Sequence, residues 1–217
     1  IAPCTHSCDE KGLGRMTMPD VFSRERLRHN RIRARQGFAD SRFLHDHVQQ
    51  ALIDRLCDIK RSYKTLMLMG NDLGRDDLKK AIMGTGKTDT VIIADDLPGA
   101  DLVVDYEALP FADQSLECVL SFMVHHHIND LPGHLIQLRR ALKPDGVMIG
   151  AMIGGETLYD LRHVMGQVES TLYGQSVPHI HPFADKPQMG SLLMRAGYAL
   201  PVVDSDLLTI SYPDLKA

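Results

Sequence analysis

No apolar stretch in these 217 residues reaches the roughly 18 that a membrane-spanning helix needs, so stable insertion in a bilayer is not expected. Nor does the segment from Ile1 to Arg15 carry an apolar core followed by a small-residue cleavage site, which removes the secretory reading. It reads as an unstructured end, with Met16 or Met18 as a candidate start. Strong charge of either sign is missing as well. The formal balance is −4, which gives no reason to expect nucleic acid as a partner for the whole chain. Cysteine is scarce and unpaired. The four fall at Cys4, Cys8, Cys57 and Cys118, with no disulfide framework, and the last two read as core thiols in a reducing compartment. Cys4 and Cys8 beside His6 would begin a metal clip, but no second pair stands at matching spacing, so no metal is expected. Internal repeats and low-complexity tracts are also lacking.

What is present is an ordinary globular composition, 44% apolar and 24% charged, in a length that gives one α/β domain. The patterning divides the chain into an unstructured end over 1–20, an N-terminal helical segment over 21–62 and an α/β domain over 63–217. From Arg24 to Arg35 six of twelve residues are arginine, with no aromatics interleaved for base stacking. The run therefore reads as a solvated basic helix face or a docking segment. Phe43, Leu44, Val48, Leu52, Ile53, Leu56 and Ile59 recur mostly at steps of three and four, which predicts an amphipathic helix.

Thr65 to Met69, closed by Gly70, reads as a buried parallel strand. Further strands are expected at Val91 to Ala94, Leu102 to Val104, Glu117 to Val124 and Val147 to Ile153, with a last one at Leu207 to Ser211. Helices are expected at Asp76 to Met83, Leu131 to Leu142, Glu156 to Ser170 and Lys186 to Ala196, and a turn at Lys143 to Gly146. This alternation gives a Rossmann-like, doubly wound, mostly parallel sheet covered on both faces. Met67, Met69, Met148 and Met152 fall within strands and read as core filler.

In open parallel sheets, ligands sit beyond the carboxyl ends of the strands, near the switch in strand order. That rule selects Gly70, Asp95, Asp105 and the residues after Val124. A carboxylate ending the second strand can hold both ribose hydroxyls. One after the third can accept from an exocyclic adenine amine. A lone aspartate at a strand end is more commonly a helix cap or turn residue, and only the ordered set points to a nucleoside. Two other signals fail. Gly84-Thr85-Gly86-Lys87-Thr88 ends like a phosphate loop, but Ala81 stands where that motif needs glycine, and a strand follows instead of a helix. His125-His126-His127 are neighbours that point to opposite sides of an extended segment, with no second ligand cluster, so they do not indicate metal.

Several blocks carry a family resemblance. Asp105-Tyr106-Glu107-Ala108-Leu109-Pro110-Phe111 resembles the D-x-E-x-L-P-F block after the third strand of class I, S-adenosylmethionine (SAM)-dependent methyltransferases. Ser115 to Ser121 is similar to their fourth strand, and Leu138 to Gly146 to the turn before their fifth. More narrowly, Asn129 to Pro132, Gly150 to Arg162, Pro178 to Phe183 and Tyr212-Pro213 resemble a subfamily of complex I assembly factors with a methyltransferase fold and their alphaproteobacterial relatives. The resemblance runs from about Val21 onward, and Gly154-Gly155-Glu156-Thr157-Leu158-Tyr159-Asp160-Leu161-Arg162 is its most specific part.

It implies a SAM site made by Gly70, Asn71, Asp72, Gly74, Asp95, Asp105 and Tyr106, with His126 and Glu156 on the substrate side. Two departures stand out. Leu68 replaces the family's acidic residue, and Asp72 replaces its middle glycine, where a carboxylate would repel that of SAM. The segment from Asp95 to Leu102 is also too short for the usual connecting helix.

The function so implied is that of a SAM-dependent methyltransferase-type protein acting on a protein side chain, with a respiratory complex I subunit as partner. It implies a bacterial cytoplasm or, in a eukaryote, the mitochondrial matrix. The alternatives are a non-catalytic scaffold that binds a client subunit and a protein-arginine hydroxylase. Methyl transfer is largely positioning, so no catalytic residue is named. The family's chain continues past Tyr212-Pro213 and supplies a seventh strand beside the fifth. The expectation here is a sheet incomplete at that edge, with the seventh strand missing.

Overall fold

The computed structural model describes residues 20–40, 42–70 and 76–211. Strand β1 (Tyr63–Met69) is central because neither of its sides is polar. Leu66 and Leu68 face one layer, Met67 and Met69 the other, and all four are buried. It is flanked in parallel by β2 (Thr88–Asp95) and β4 (Leu116–Phe122). Next to these lie β3 (Leu102–Val103) and β5 (Leu142–Ala151), also parallel, in the order β3-β2-β1-β4-β5. The chain steps outward from β1 to β3 and then returns to β4, so the switch in direction falls between β1 and β4. All five carboxyl ends share one rim.

One face is covered by α2 (Phe43–Asp58) and α3 (Asp77–Gly84), whose Leu52, Leu56, Leu78 and Ile82 pack on Leu66, Leu68, Val91, Ile93 and Leu120. Each such burial stabilises the fold by roughly 1.5–3 kcal/mol. On the other face, Leu138 of α4 (Leu131–Ala141) meets Met67, Met69 and Val119. Leu135 of α4 packs on Met189 and Leu193 of α6 (Lys186–Arg195). These helices start where their sequences supply caps. The Asp130 carboxylate accepts from the Gly133 amide at 2.9 Å, and Asp185 with Gln188 forms a reciprocal capping box. Helix α1 (Arg24–Ala34) is capped by the Ser23 hydroxyl, yet none of its residues is buried. Helix α5 (Tyr159–Tyr173) likewise buries none and ends at Gly174 in the left-handed region.

The structure corrects the sequence reading at three points. Lys143 to Gly146 is not a turn ahead of the strand but a bulge inside β5. Leu142 pairs with Leu116 and Val147 with Cys118, with Asp145 at φ +61° between them. Leu207 to Ser211 is not a strand. The outer side of β5 has no partner among the described residues, and Leu207 is 86% exposed, so no ladder receives that segment. Among the described residues β5 is the last strand on this side of the sheet, one of the two strands, five or six, whose edge was expected to lie open. Finally, Cys118 is a core thiol, pushed up to about 12 by burial, whereas Cys57 is exposed. Tyr212 and Pro213 lie outside the described residues.

Candidate functional site

Along the carboxyl rim runs a cavity of about 360 Å³. Its floor is set by Gly70, which directly follows β1 at φ +80° and whose amide donates to the Ala94 carbonyl at 3.1 Å. A Cβ added there would run into the Phe122 carbonyl oxygen and come within 2.7 Å of Val124 Cγ2. Only glycine lets the backbone pass this close, and the chain spends that freedom on bringing main-chain atoms to the cavity.

The acidic groups come from the next two strands. Asp95 ends β2 and is 1% exposed; its Oδ1 accepts from the Leu97 amide at 3.2 Å. Asp96 follows, and burial above all, with the neighbouring Asp95, raises its carboxyl above the usual range against the pull of Arg31 and Arg28. Asp105 follows β3; its Oδ1 accepts from the Glu107 amide at 2.9 Å, which fixes the turn. Tyr106 lines the cavity between them, its hydroxyl 3.5 Å from the Ala94 carbonyl and raised well above its ordinary pKa, chiefly by burial and then by Asp95.

These carboxylates are engaged by α1. Arg24, Arg28 and Arg31 stand at i, i+4 and i+7, one stripe of the helix. Arg31 donates from Nη1 to Asp95 Oδ1 at 2.9 Å and from Nη2 to Oδ2 at 2.8 Å, a two-pronged pairing, and also reaches Asp96. Burial works against the charge of Arg31, but the Asp95 bonds outweigh it and its pKa is raised. Arg28 Nε donates to Asp96 Oδ2 at 3.1 Å. Arg24 spans Asp105 Oδ2 at 2.8 Å and Glu107 Oε2 at 3.0 Å. Just ahead of the helix, Asn129 holds the backbone of Phe22 at both ends, accepting from its amide at 2.7 Å and donating to its carbonyl at 3.1 Å. Glu107 in turn accepts from the Asn129 amide at 3.1 Å.

Histidines form the opposite wall. The three that follow Val124 make one turn of 3₁₀ helix, not the extended segment expected, and His126 and His127 line the cavity. Burial, reinforced by neighbouring histidines, holds His126 down to about 2 and His125 to about 3. His127 and His134 are held to about 4, again chiefly by burial. The Nδ1 of His134 donates to the Tyr106 carbonyl at 2.6 Å, which fixes its tautomer. Nδ1 of His126 is buried with no hydrogen-bond partner among the described residues. His181 stacks on Phe22 at 4.0 Å between ring centroids and lies 4.9 Å from the Phe183 ring, so the Pro178 to Phe183 block meets the N-terminal strap beside this wall. No group of His, Cys, Asp and Glu suited to a metal occurs among the described residues.

Of the residues selected from sequence, Gly70, Asp105, Tyr106 and His126 line the cavity, and Asp95 lies directly behind Arg31. Asn71, Asp72 and Gly74 lie outside the described residues. Glu156 is a correction: it is exposed, in the turn before α5, and does not line the cavity, whereas Ile153 does. The extended β5 ends at Ala151 and the chain turns away before reaching Glu156. Leu68, where the family carries an acid, is sealed in the apolar layer at 1% exposure. The sequence reading missed Arg24, Arg28, Arg31, Glu107 and Asn129. The stripe of three arginines over eight residues, facing four acidic residues at strand ends, was the available signal.

Residues 66–150 match the family model of the methyltransferase domain. The fold agrees: a chain from the complex of the Haloferax volcanii Trm112 methyltransferase activator with a methyltransferase superposes with a TM-score of 0.62. That match is 20% identical and covers 88% of this chain and 84% of the other. The YcgJ protein of Bacillus subtilis superposes with a TM-score of 0.52 at 14% identity, covering 71% and 69%. The chain thus has the Rossmann-like sheet of the class I methyltransferase fold, and its residues 66–150 match the methyltransferase domain model.

Within the class, its sequence is similar to the mitochondrial arginine-hydroxylase NDUFAF5. The Danio rerio protein is 34% identical over 213 residues, covering 90% of this chain and 64% of that one. For the Homo sapiens protein the figures are 34% over 189 residues, 80% and 53%. A malonyl-[acyl-carrier protein] O-methyltransferase of Xylella fastidiosa is 38% identical over 120 residues, covering 55% and 39%. The chain therefore spans between half and two thirds of the length of the arginine hydroxylases named here.

Proposed function

We propose that this chain is a SAM-dependent, methyltransferase-type protein that acts on a protein side chain, with arginine as the side chain named by its relatives. One observation carries the reading: a glycine of close approach, Gly70, shares a rim with carboxylates at two successive strand ends, Asp95 and Asp105. Asp95 would hold the ribose hydroxyls and Asp105 the adenine amine, with the Gly70 backbone against the cofactor. SAM, when bound, supplies a methyl group on a sulfonium. Asn71, Asp72 and Gly74 are proposed with them from the sequence resemblance alone. His126 would orient the substrate: at about 2 its pKa is too low for it to take a proton near neutrality, and its unpartnered Nδ1 can accept a hydrogen bond.

A second reading, hydroxylation of arginine with dioxygen and a two-electron reductant supplied from outside the chain, so that one oxygen atom enters the C–H bond and the other leaves as water, is favoured by the activity printed for the relatives. The client proposed from the sequence resemblance is a respiratory complex I subunit. The relatives named arginine hydroxylase are mitochondrial, and the matrix, or a bacterial cytoplasm, is the place proposed. No helix among the described residues is long and apolar enough to cross a membrane.

Isothermal titration with SAM and with S-adenosylhomocysteine tests the site. Saturable binding that Asp95→Ala abolishes is expected, and absence of binding removes the reading. Mass spectrometry of an arginine-bearing client after incubation with SAM, and in a parallel arm with dioxygen and a reductant, then separates the gain of one methylene from that of one oxygen atom.

A further inference from the structure

The two carboxylates assigned to the nucleoside are the two that α1 holds from its ends. Arg31 covers both oxygens of Asp95, and Arg24, two turns earlier, covers Asp105 and Glu107. Both arginines line the cavity. A guanidinium offers planar N–H donors to a carboxylate, a ribose diol offers two O–H donors and an adenine amine offers N–H donors, so the occupants compete for the same oxygen atoms. None of the helix's residues is buried, and among the described residues its polar attachments are the three arginines, the Ser23 cap and the Asn129 grip on Phe22, with the Phe22–His181 stack beside them.

We propose that α1 is an autoinhibitory latch: Arg31 and Arg24 stand in for the ribose and adenine donors, and the nucleoside enters only when they withdraw. The proposal rests on the SAM-site reading above. It assigns the Arg24 to Arg31 stripe the role of setting cofactor affinity, with Arg28 on Asp96 as a contact between the two.

The test is titration of S-adenosylhomocysteine into the full chain, into Arg24→Ala and into Arg31→Gln, with hydrogen exchange of the α1 amides followed in parallel. Arg24 is 41% exposed and its pairs are peripheral, so Arg24→Ala keeps its fold even if Arg31→Gln does not. A latch predicts that Arg24→Ala binds about fivefold more tightly, the scale set by one exposed ion pair, and that Arg31→Gln, which removes a two-pronged pair from a buried carboxylate, gains at least as much. It also predicts that ligand raises exchange in α1 of the unaltered chain. Binding that is unchanged or weaker in Arg24→Ala overturns the latch and leaves the nucleoside site standing. Failure of all three proteins to bind overturns the site, and the latch with it.

Discussion

Helices α1 and α2 are consecutive in the chain and are fastened by opposite means. Helix α2 sends Leu52 and Leu56 into the core, at 1% and 0% exposure. Helix α1 sends nothing in and is tied by guanidiniums to carboxylates on the rim. Apolar contact gains free energy in proportion to area, is insensitive to salt, and cannot be exchanged for a ligand. An ion pair at the mouth of a cavity is screened by salt and can be replaced by any better donor. The difference locates stability in the second helix and exchangeability in the first.

Acid is the largest blow to this arrangement, because it strikes the wall that the strap leans on. His125, His126, His127 and His134 stay neutral in the folded chain down to about 3, 2, 4 and 4. The unfolded chain takes up those protons near pH 6.5. Below that value the unfolded state binds more protons, so stability is full above pH 6.5 and falls steadily toward pH 4. Denaturant titrations across that interval should show a midpoint that drops with proton uptake on unfolding. A midpoint flat over the interval would mean that the histidines are solvated.

Leu56→Ala comes next. It removes a side chain at 0% exposure and should cost about 2–5 kcal/mol, lowering the melting of the whole domain equally at low and high salt. A cost below about 1 kcal/mol would show that α2 is not anchored as described. The smallest effect separates the two helices directly. Raising salt should speed hydrogen exchange in α1 by less than about 1 kcal/mol of local stability while leaving α2 unchanged. Equal responses in the two helices would erase the contrast.

How far the sequence reveals the molecule follows the same division. Strand β1 was legible because burial on both faces leaves a run without polar interruption, Leu66 to Met69. Helix α2 was legible from the three- and four-residue spacing that places Leu52 and Leu56 on one side. The rim residues Gly70, Asp95 and Asp105 followed from the rule for parallel sheets. The pairings of α1 did not. Arg31 reaches Asp95 across 64 positions and Arg24 reaches Glu107 across 83, and no local pattern encodes a partner that distant. The bulge in β5 escaped for a related reason, since Lys143 to Gly146 has the composition of a turn and only the register with β4 keeps it in the sheet. Glu156 was selected through its motif, and its exposure depends on where β5 ends.

The distance between α1 and its partners also has a consequence for synthesis. The helix leaves the ribosome well before Asp95, Asp96, Asp105 and Glu107 exist, and its 11 residues are fewer than the roughly 12–15 an isolated helix needs to hold together in water. Made first, it cannot form its rim contacts until the acidic residues on which it docks have been made. A nascent chain therefore carries three uncompensated guanidiniums until Glu107 and Asn129 have emerged and closed over Arg24 and Phe22.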